Sequence, residues 1–279
     1  MPLNSVNTNV GAMQALQVFA AINAEMAEVQ TRISTGLRVS SPKDNPAIWA
    51  IAQNQRSQVS SLDAVKSSLQ RGQSIADIAI TAGESISDMV GQMKALAVSA
   101  LDYPPGDPAR AAINDQYVSL RKLINTTANN ATFGGINLIG AGSSGAIRAL
   151  ANADATDTID VDHVDLSTGG AALSALPADL TAVTSADLDT INTAQTAVNS
   201  AVSKLGTGSK ALDTHVTFIG KLQDTLEASI GNLVDADLAR ESARLEALKV
   251  RQQLAIIAMR IANDAPSILL QLFQFNRAA

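Results

Sequence analysis

Between positions 188 and 233, seam positions recur every three or four residues without a slip, and all but three of them are apolar. A heptad repeat of this length predicts a helix that contacts partner helices along one continuous stripe. At about 1.5 Å per residue such a helix is roughly 70 Å long, which exceeds the span of a compact domain. The apolar positions of the stripe are Leu188, Ile191, Val198, Val202, Leu205, Leu212, Val216, Ile219, Leu226, Ile230 and Leu233.

Polar residues interrupt this stripe at Gln195, Ser209 and Gln223. Polar seam positions can fix the register between helices, as a single polar residue does in coiled coils. They can equally be tolerated without such a role. The sequence leaves both interpretations open.

The N-terminal segment predicts another amphipathic helix, with Asn4 and Ser5 as its cap and an end near Ser34. Its apolar residues recur at a mean step close to that of a coiled coil. A long helix at a chain terminus is marginal on its own and needs a partner. The predicted stripe consists of Val6, Val10, Met13, Leu16, Phe19, Ile22, Met26, Val29 and Ile33.

The last segment of the chain repeats this pattern in a helix that follows a break at 232–237. The shortest way to bury both terminal stripes is to pack them on each other and on neighbouring copies of the chain. The pattern therefore predicts self-assembly. The C-terminal stripe consists of Val250, Leu254, Ile257, Ile261, Ile268, Leu272 and Phe275.

The segments between the terminal helices predict further helices and a small β-element. Asn45 and Pro46 are typical of an N-cap and a first helical residue, and a proline-rich turn ends that helix near Leu101. A shorter helix is predicted from Pro108 to Asn130. Strands at 146–150 and 158–166 are predicted to form a hairpin, with the turn at 152–157. The predicted fold class is mainly α, an elongated bundle or coiled coil of long helices with a small β-hairpin region.

Composition narrows the possible partners. Hydrophobic residues make up 46% of the chain but aromatic residues only 3%, which favours closely packed helices over a thick aromatic core. A net charge of −6 argues against nucleic acid as a partner. No run reaches the ~18 apolar residues of a membrane span, and the first residues lack the basic region of a signal peptide. We therefore expect no nucleic-acid and no membrane partner.

No group of titratable side chains indicates catalysis. The aspartates at 154–165, with His163, lack the regular spacing and the closing Glu of a calcium loop. His215 has no acid or thiol at a spacing typical of a catalytic triad, and the glycines at 134–145 lack the lysine of a phosphate loop. We expect no enzyme activity, no metal, no cofactor and no small-molecule substrate.

Several ordered motifs lie near the two ends of the chain. They are ISTGLRVSSPKDNPA at 33–47, MKALAV at 93–98, FGG at 133–135, NLVDADLA at 232–239, QQL at 252–254 and AN at 262–263. Together they resemble the motifs of bacterial flagellins. The stretches AIWA at 47–50 and LDTH at 212–215 resemble the short flagellins of alphaproteobacteria.

The resemblance implies the layered organisation of flagellins, in which D0 is the innermost layer and D1 the next. Residues 1–45 would form the N-terminal D0 helix and spoke, and 46–140 the N-terminal D1 helices. Residues 141–184 would form the β-hairpin and loop region of D1, without D2 or D3. Residues 185–234 would form the long C-terminal D1 helix and 235–279 the C-terminal D0 helix. The terminal stripes would then be the D0 seam, and the long inner stripe the D1 seam.

The resemblance also implies a function: a structural subunit that polymerises into the helical filament of the bacterial flagellum, for swimming motility. The implied partners are further copies of the chain, alone or mixed with other flagellins, hook-associated junction and cap proteins, and an export chaperone. The implied location is the extracellular filament, reached by secretion through the flagellar type III apparatus. The alternative is a hook–filament junction adaptor of related fold.

The resemblance assigns two further groups of residues. The spoke residues are Gly36, Arg38, Lys43, Asp44 and Asn45. Gln92, Leu96 and Gln116 align with positions at which an animal innate receptor, Toll-like receptor 5, recognises flagellins. Because an Arg and a Glu of those flagellins are glutamines here, we expect a poor ligand for that receptor. A reporter-cell titration with the potency of an enteric flagellin would refute this expectation.

Overall fold

The structure, a computed structural model, describes residues 8–142 and 145–275, with side chains described as far as residue 264. Its helices are α1 (Val10–Thr35), α2 (Pro46–Leu101), α3 (Pro108–Asn130), α4 (Ser185–Val234) and α5 (Leu238–Phe275). Its strands are β1 (Thr132–Phe133), β2 (Ile136–Asn137), β3 (Ile147–Leu150) and β4 (Thr158–Val161). The predicted fold class, mainly α with a small β-region, is confirmed.

The chain divides into two compact units. Unit 1 comprises Met1–Arg56 with Leu226–Ala279, and unit 2 comprises Ser57–Thr225. The predicted domain division at 45/46 and 234/235 remains a prediction.

Helix α2 contributes one continuous face to the core of unit 2. Several positions on this face are small, which allows close approach: a Cβ added at Gly83 would lie 2.8 Å from Val202 Cγ2, and one added at Gly72 would lie 3.0 Å from Ile147 Cγ2. Successive positions of this face are alternately three and four residues apart, as in a coiled coil. This face consists of the buried positions Leu62, Val65, Leu69, Gly72, Ala76, Ala79, Gly83, Ile86, Val90, Met93, Ala97 and Ala100, and Ile75 and Met89 are buried beside it.

Helix α4 places each apolar position of the predicted D1 stripe in a buried or half-buried environment. Its polar stripe positions hydrogen-bond to polar side chains of α2. The bonds run from Gln195 Nε2 to Ser87 Oγ (2.7 Å), from Ser209 Oγ to Asp77 Oδ1 (2.8 Å) and from Gln223 Nε2 to Asp63 Oδ1 (2.8 Å). A slip of α4 along α2 would break all of these bonds, so they fix the register within unit 2.

The β-region consists of two antiparallel pairs. In the second pair, Ile147 lies opposite Val161 and Leu150 opposite Thr158, as the predicted hairpin requires. The second strand is shorter than predicted and ends at Val161. Beyond it, the amides of Val164 and Leu166 donate to the carbonyls of Leu138 (2.8 Å) and Ile139 (2.9 Å), so the chain has left its partner strand.

The segment that leads into α4 is held by side chains of α3. The guanidinium of buried Arg110 donates to the carbonyl oxygens of Leu180 (2.9 Å) and Val183 (3.2 Å). The hydroxyl of buried Tyr117 donates to the carbonyl of Pro177 (3.1 Å). Burial raises the pKa of Tyr117 to about 12, because the ionised form would lose its hydration.

Candidate self-assembly surface

Helices α1 and α5 of unit 1 pack on each other. Their buried and half-buried positions alternate steps of three and four, so the pair is a short coiled coil. The inner seam of α1 contains Ala12, Ala15, Phe19, Ile22, Met26, Val29 and Ile33. The inner seam of α5 contains Glu241, Leu245, Leu248, Gln252, Ala255, Met259 and Ala262.

Polar contacts join these helices in antiparallel order. They are Asn9 Nδ2 to the carbonyl of Ala262 (2.6 Å), Gln252 Nε2 to Asn23 Oδ1 (2.6 Å), Arg244 to Glu25, and Arg32 Nη1 to Glu241 Oε1 (3.5 Å). The hydrogen bond with Glu25 raises the pKa of Arg244. These contacts connect α1 to α5 along most of the length of α1.

The predicted C-terminal stripe does not face α1. Val250, Leu254, Ile257 and Ile261 are 56%, 59%, 52% and 67% exposed in the structure. At about 100° per residue, Val250 lies roughly 200° around the helix from the buried Leu248. Ile268 and Leu272 lie outside the residues whose side chains are described. We call the four exposed residues the α5 outer stripe.

The predicted N-terminal stripe changes side along α1. Phe19 and Ile22 belong to the inner seam, whereas Val10, Met13 and Leu16 are exposed. From Val10 to Phe19 the stripe advances in three steps of three residues. These nine residues complete two and a half helical turns, so the stripe rotates by about 180° around the helix. Val6 lies outside the described residues. We call the three exposed residues the α1 outer stripe.

Helix α5 is therefore apolar on two opposite sides. The sequence pattern identified the aliphatic residues of the outer stripe and missed the inner seam, where Glu241, Gln252 and small alanines obscure the heptad. The signal that could have revealed it is the spacing of Leu245, Leu248 and Met259. A helix that is apolar on two sides is typical of one buried on both.

The predicted spoke lies between α1 and α2 along the chain and contacts the segment that precedes α5. Gly36, with φ of 71°, ends α1, and its carbonyl accepts from the Ala236 amide (2.9 Å). The Arg38 amide donates to the Val234 carbonyl (2.6 Å), and its guanidinium donates to the Leu233 carbonyl (2.8 Å). Hydrogen bonds to backbone carbonyls therefore hold the spoke against the segment that precedes α5, within unit 1.

Asp44 and Asn45 organise the turn before α2. Asp44 Oδ2 accepts from the amides of Ser40 and Ser41, each at 2.9 Å. These bonds lower the pKa of Asp44, and the bond from the Ser41 amide has the largest effect. Asn45 caps α2, since its Oδ1 accepts from the Ile48 amide (3.1 Å), as predicted. Lys43 is exposed.

Gln92, Leu96 and Gln116 come together in unit 2. They line a groove of about 700 Å³ between α2 and α3, together with Leu120 and Leu123. Both glutamines are exposed and Leu96 is half-buried. The structure thus brings these three sequence-aligned positions to one open surface.

The histidines make contacts of a structural kind. His163 Nε2 lies 2.9 Å from the Gly140 carbonyl and His215 Nε2 lies 2.7 Å from the Ala151 carbonyl. Across the described part of the chain, no group of three side chains is arranged to hold a metal ion. In the same residues, no helix combines the length and apolar character needed to cross a bilayer.

Comparison with known proteins identifies the family. The bacterial flagellin N-terminal helical region matches residues 6–143, and the bacterial flagellin C-terminal helical region matches residues 188–273. Flagellin FljM of Caulobacter vibrioides is 47% identical over 276 residues, which cover 98% of this chain and 100% of that protein. A flagellin of Brucella melitensis is 34% identical and covers 97% of this chain.

Among solved structures, the crystal structure of Bacillus cereus flagellin matches 63% of this chain and 93% of its own, with 17% identity and a TM-score of 0.34. The family models and the full-length relatives agree with the motifs at both ends of the chain. The chain therefore belongs to the bacterial flagellin family and is a structural subunit of the flagellar filament.

Proposed function

We propose that this flagellin polymerises by docking the outer stripes of α1 and α5 on neighbouring copies, and that the terminal helices become ordered in that step. The observation that carries the proposal is the α5 outer stripe, four large apolar side chains on the side away from α1. Burying each of them gains about 1.5–3 kcal/mol. A neighbouring copy supplies the apolar surface that a single chain lacks.

The domains and residues predicted from the sequence have distinct roles in this assembly. The α1 and α5 helices would form the inner layer, D0, and the spoke would connect it to the outer layer, D1. The apolar residues of α4 would hold D1 together as its seam. Comparisons at near-complete coverage support the filament subunit, and nothing in them favours the junction adaptor.

Assembly also requires a route of secretion and partners at the tip and base of the filament. We propose that the chain is exported through the flagellar type III apparatus, with a chaperone bound to its C-terminal helix. It would then be added beneath a cap protein at the tip of an extracellular filament that begins at the junction proteins. Exposed apolar stripes on α1 and α5 support the need for a chaperone, because such surfaces aggregate when unprotected.

The experiment is seeded elongation with Leu254→Asp. Burying an unpaired charge in an interface costs at least ~2 kcal/mol. Filament elongation by this variant should therefore fall below detection. The control is Gln253→Asp, which adds the same side chain at the neighbouring exposed polar position. Filament mass is measured by sedimentation and filament length by electron microscopy.

Both variants should keep the helical circular dichroism of the wild-type chain, because position 254 does not contribute to the core of unit 2. Wild-type filaments from the Leu254→Asp chain would show that the α5 outer stripe is not an assembly surface. Equal loss in both variants would indicate a general effect of charge on this helix and would also count against the proposal.

A further inference from the structure

Asn9 makes two different hydrogen bonds with its side chain. Its Oδ1 accepts from the Ala12 amide (3.0 Å), which caps α1. Its Nδ2 donates to the carbonyl of Ala262 in α5 (2.6 Å). A cap requires only the oxygen, so the second bond needs a separate explanation.

The explanation lies four residues beyond Ala262. In an α-helix each carbonyl accepts from the amide four residues later, and proline has no N–H. Pro266 is the only proline in the α5 sequence and lies within that helix. The Ala262 carbonyl therefore has no intrahelical i+4 donor, and the Asn9 side chain supplies one.

We infer that Asn9 and Pro266 form a register pin between the terminal helices, and this inference rests on the proposed function. The proline creates one free carbonyl on α5, and the cap residue of α1 binds to it. Every other α5 carbonyl before the last turn has a backbone amide four residues later, so a shifted α1 would find no equivalent acceptor.

The position of the pin links it to assembly. Asn9 is adjacent to Val10 of the α1 outer stripe, and Ala262 is adjacent to Ile261 of the α5 outer stripe. The helices are close here, since a Cβ added at Gly11 would lie 3.8 Å from Ala262 Cβ. The pin therefore sets the relative height of the two outer stripes, which neighbouring copies must match. Asn9 acts as a positioning residue.

A double-mutant cycle tests the pin in the full chain. The four chains are wild type, Asn9→Asp, Pro266→Ala and the combination of both. Aspartate caps a helix as well as asparagine but cannot donate, so a carbonyl is left unpaired. The critical concentration for seeded elongation should rise about tenfold for Asn9→Asp in the wild-type background.

In the Pro266→Ala background the restored backbone N–H at position 266 can satisfy the Ala262 carbonyl. The same Asn9→Asp change should then raise the critical concentration less than about threefold. Asn9→Ser, a neutral cap whose hydroxyl is too short to reach α5, should behave like Asn9→Asp and so exclude an effect of charge alone. Equal effects of Asn9→Asp in both backgrounds, or a wild-type critical concentration for Asn9→Ser, would overturn the pin.

Hydrogen exchange of the α1 amides in the same four chains is the second measurement. Asn9→Asp should accelerate exchange with proline at position 266 and have little effect with alanine there. This measurement is made in filaments, at protein concentrations above the critical concentration of all four chains. Failure of the wild-type chain to elongate would therefore contradict the proposed function, whereas loss of the background dependence would contradict the pin.

Discussion

At the scale of single residues, Tyr117 reports on the packing between α3 and the segment that leads into α4. The chain contains only two tyrosines, and Tyr103, unlike Tyr117, is exposed. Burial raises the pKa of Tyr117 from 10.0 to about 12. The protonated phenol is the form that the fold favours. Its contribution to stability is therefore complete below pH 10.0 and is lost as the pH rises through about 12.

We predict that a Tyr103→Phe chain, in which Tyr117 is the only tyrosine, titrates near pH 12 when folded. The same chain in denaturant should titrate near the ordinary value of about 10. Tyrosinate absorbance measures both titrations, and circular dichroism at each pH verifies that the chain is folded. A folded titration near pH 10 would mean that Tyr117 is not buried as described.

The residue scale is also where sequence reasoning was least complete. The predicted cap of the first helix was Asn4 or Ser5, whereas α1 begins at Val10 with Asn9 as its cap. Several cap-forming residues precede the helix in the sequence. The partner of Asn9 is Ala262, 253 residues away along the chain, and no local pattern contains that information. By contrast, Asn45 was identifiable because Pro46 follows it directly.

At the scale of helices, the local signals that end a helix were sufficient. The predicted bounds of α2 and α3 coincide with those observed, because a cap–proline pair begins each helix and a proline-rich turn ends α2. The face that a terminal helix presents to its partner was not predictable in the same way. Both sides of α5 are apolar, so periodicity alone cannot say which side packs on α1 and which is exposed.

The α2–α4 pair illustrates how polar residues specify a long, otherwise repetitive interface. The sequence left the role of Ser209 open, and the structure places it 92% buried with a hydrogen bond to Asp77. Since Asp77 is itself exposed, the bond is worth less than a fully buried one. The Ser209–Asp77 bond therefore contributes more to the register of α4 against α2 than to the free energy of unfolding.

We predict a coupling energy of about 1 kcal/mol between Ser209→Ala and Asp77→Ala in urea unfolding of the full chain. The control cycle pairs Ser209→Ala with Asp63→Ala, which removes an aspartate bonded to Gln223 instead. That coupling should be near zero, because the two residues share no contact. Similar coupling in both cycles would mean that the effect is general electrostatics and not the Ser209–Asp77 bond.

At the scale of the whole molecule, the two units differ in how much apolar surface they bury. In the described parts of α1 and α5, only Val29, Leu248 and Ala255 are buried, whereas one face of α2 alone contributes twelve buried positions to unit 2. The thin α1–α5 seam offsets little of the conformational entropy lost when two long helices become ordered. Under the proposed function, we expect stable ordering of the terminal pair to require the additional burial of its outer stripes in the filament.

We predict that amides of α1 and α5 exchange with solvent on the time scale of an unprotected chain in the monomer. In the filament their exchange should be slower by about 100-fold or more, because opening then requires breaking contacts between subunits. Amides of the buried α2 face, such as those of Leu69 and Ile86, serve as the internal control and should be protected in both states. Hydrogen exchange followed by mass spectrometry measures all of them in one experiment. Strong protection of α1 and α5 in the monomer would show that the thin seam is sufficient and that ordering is not coupled to assembly.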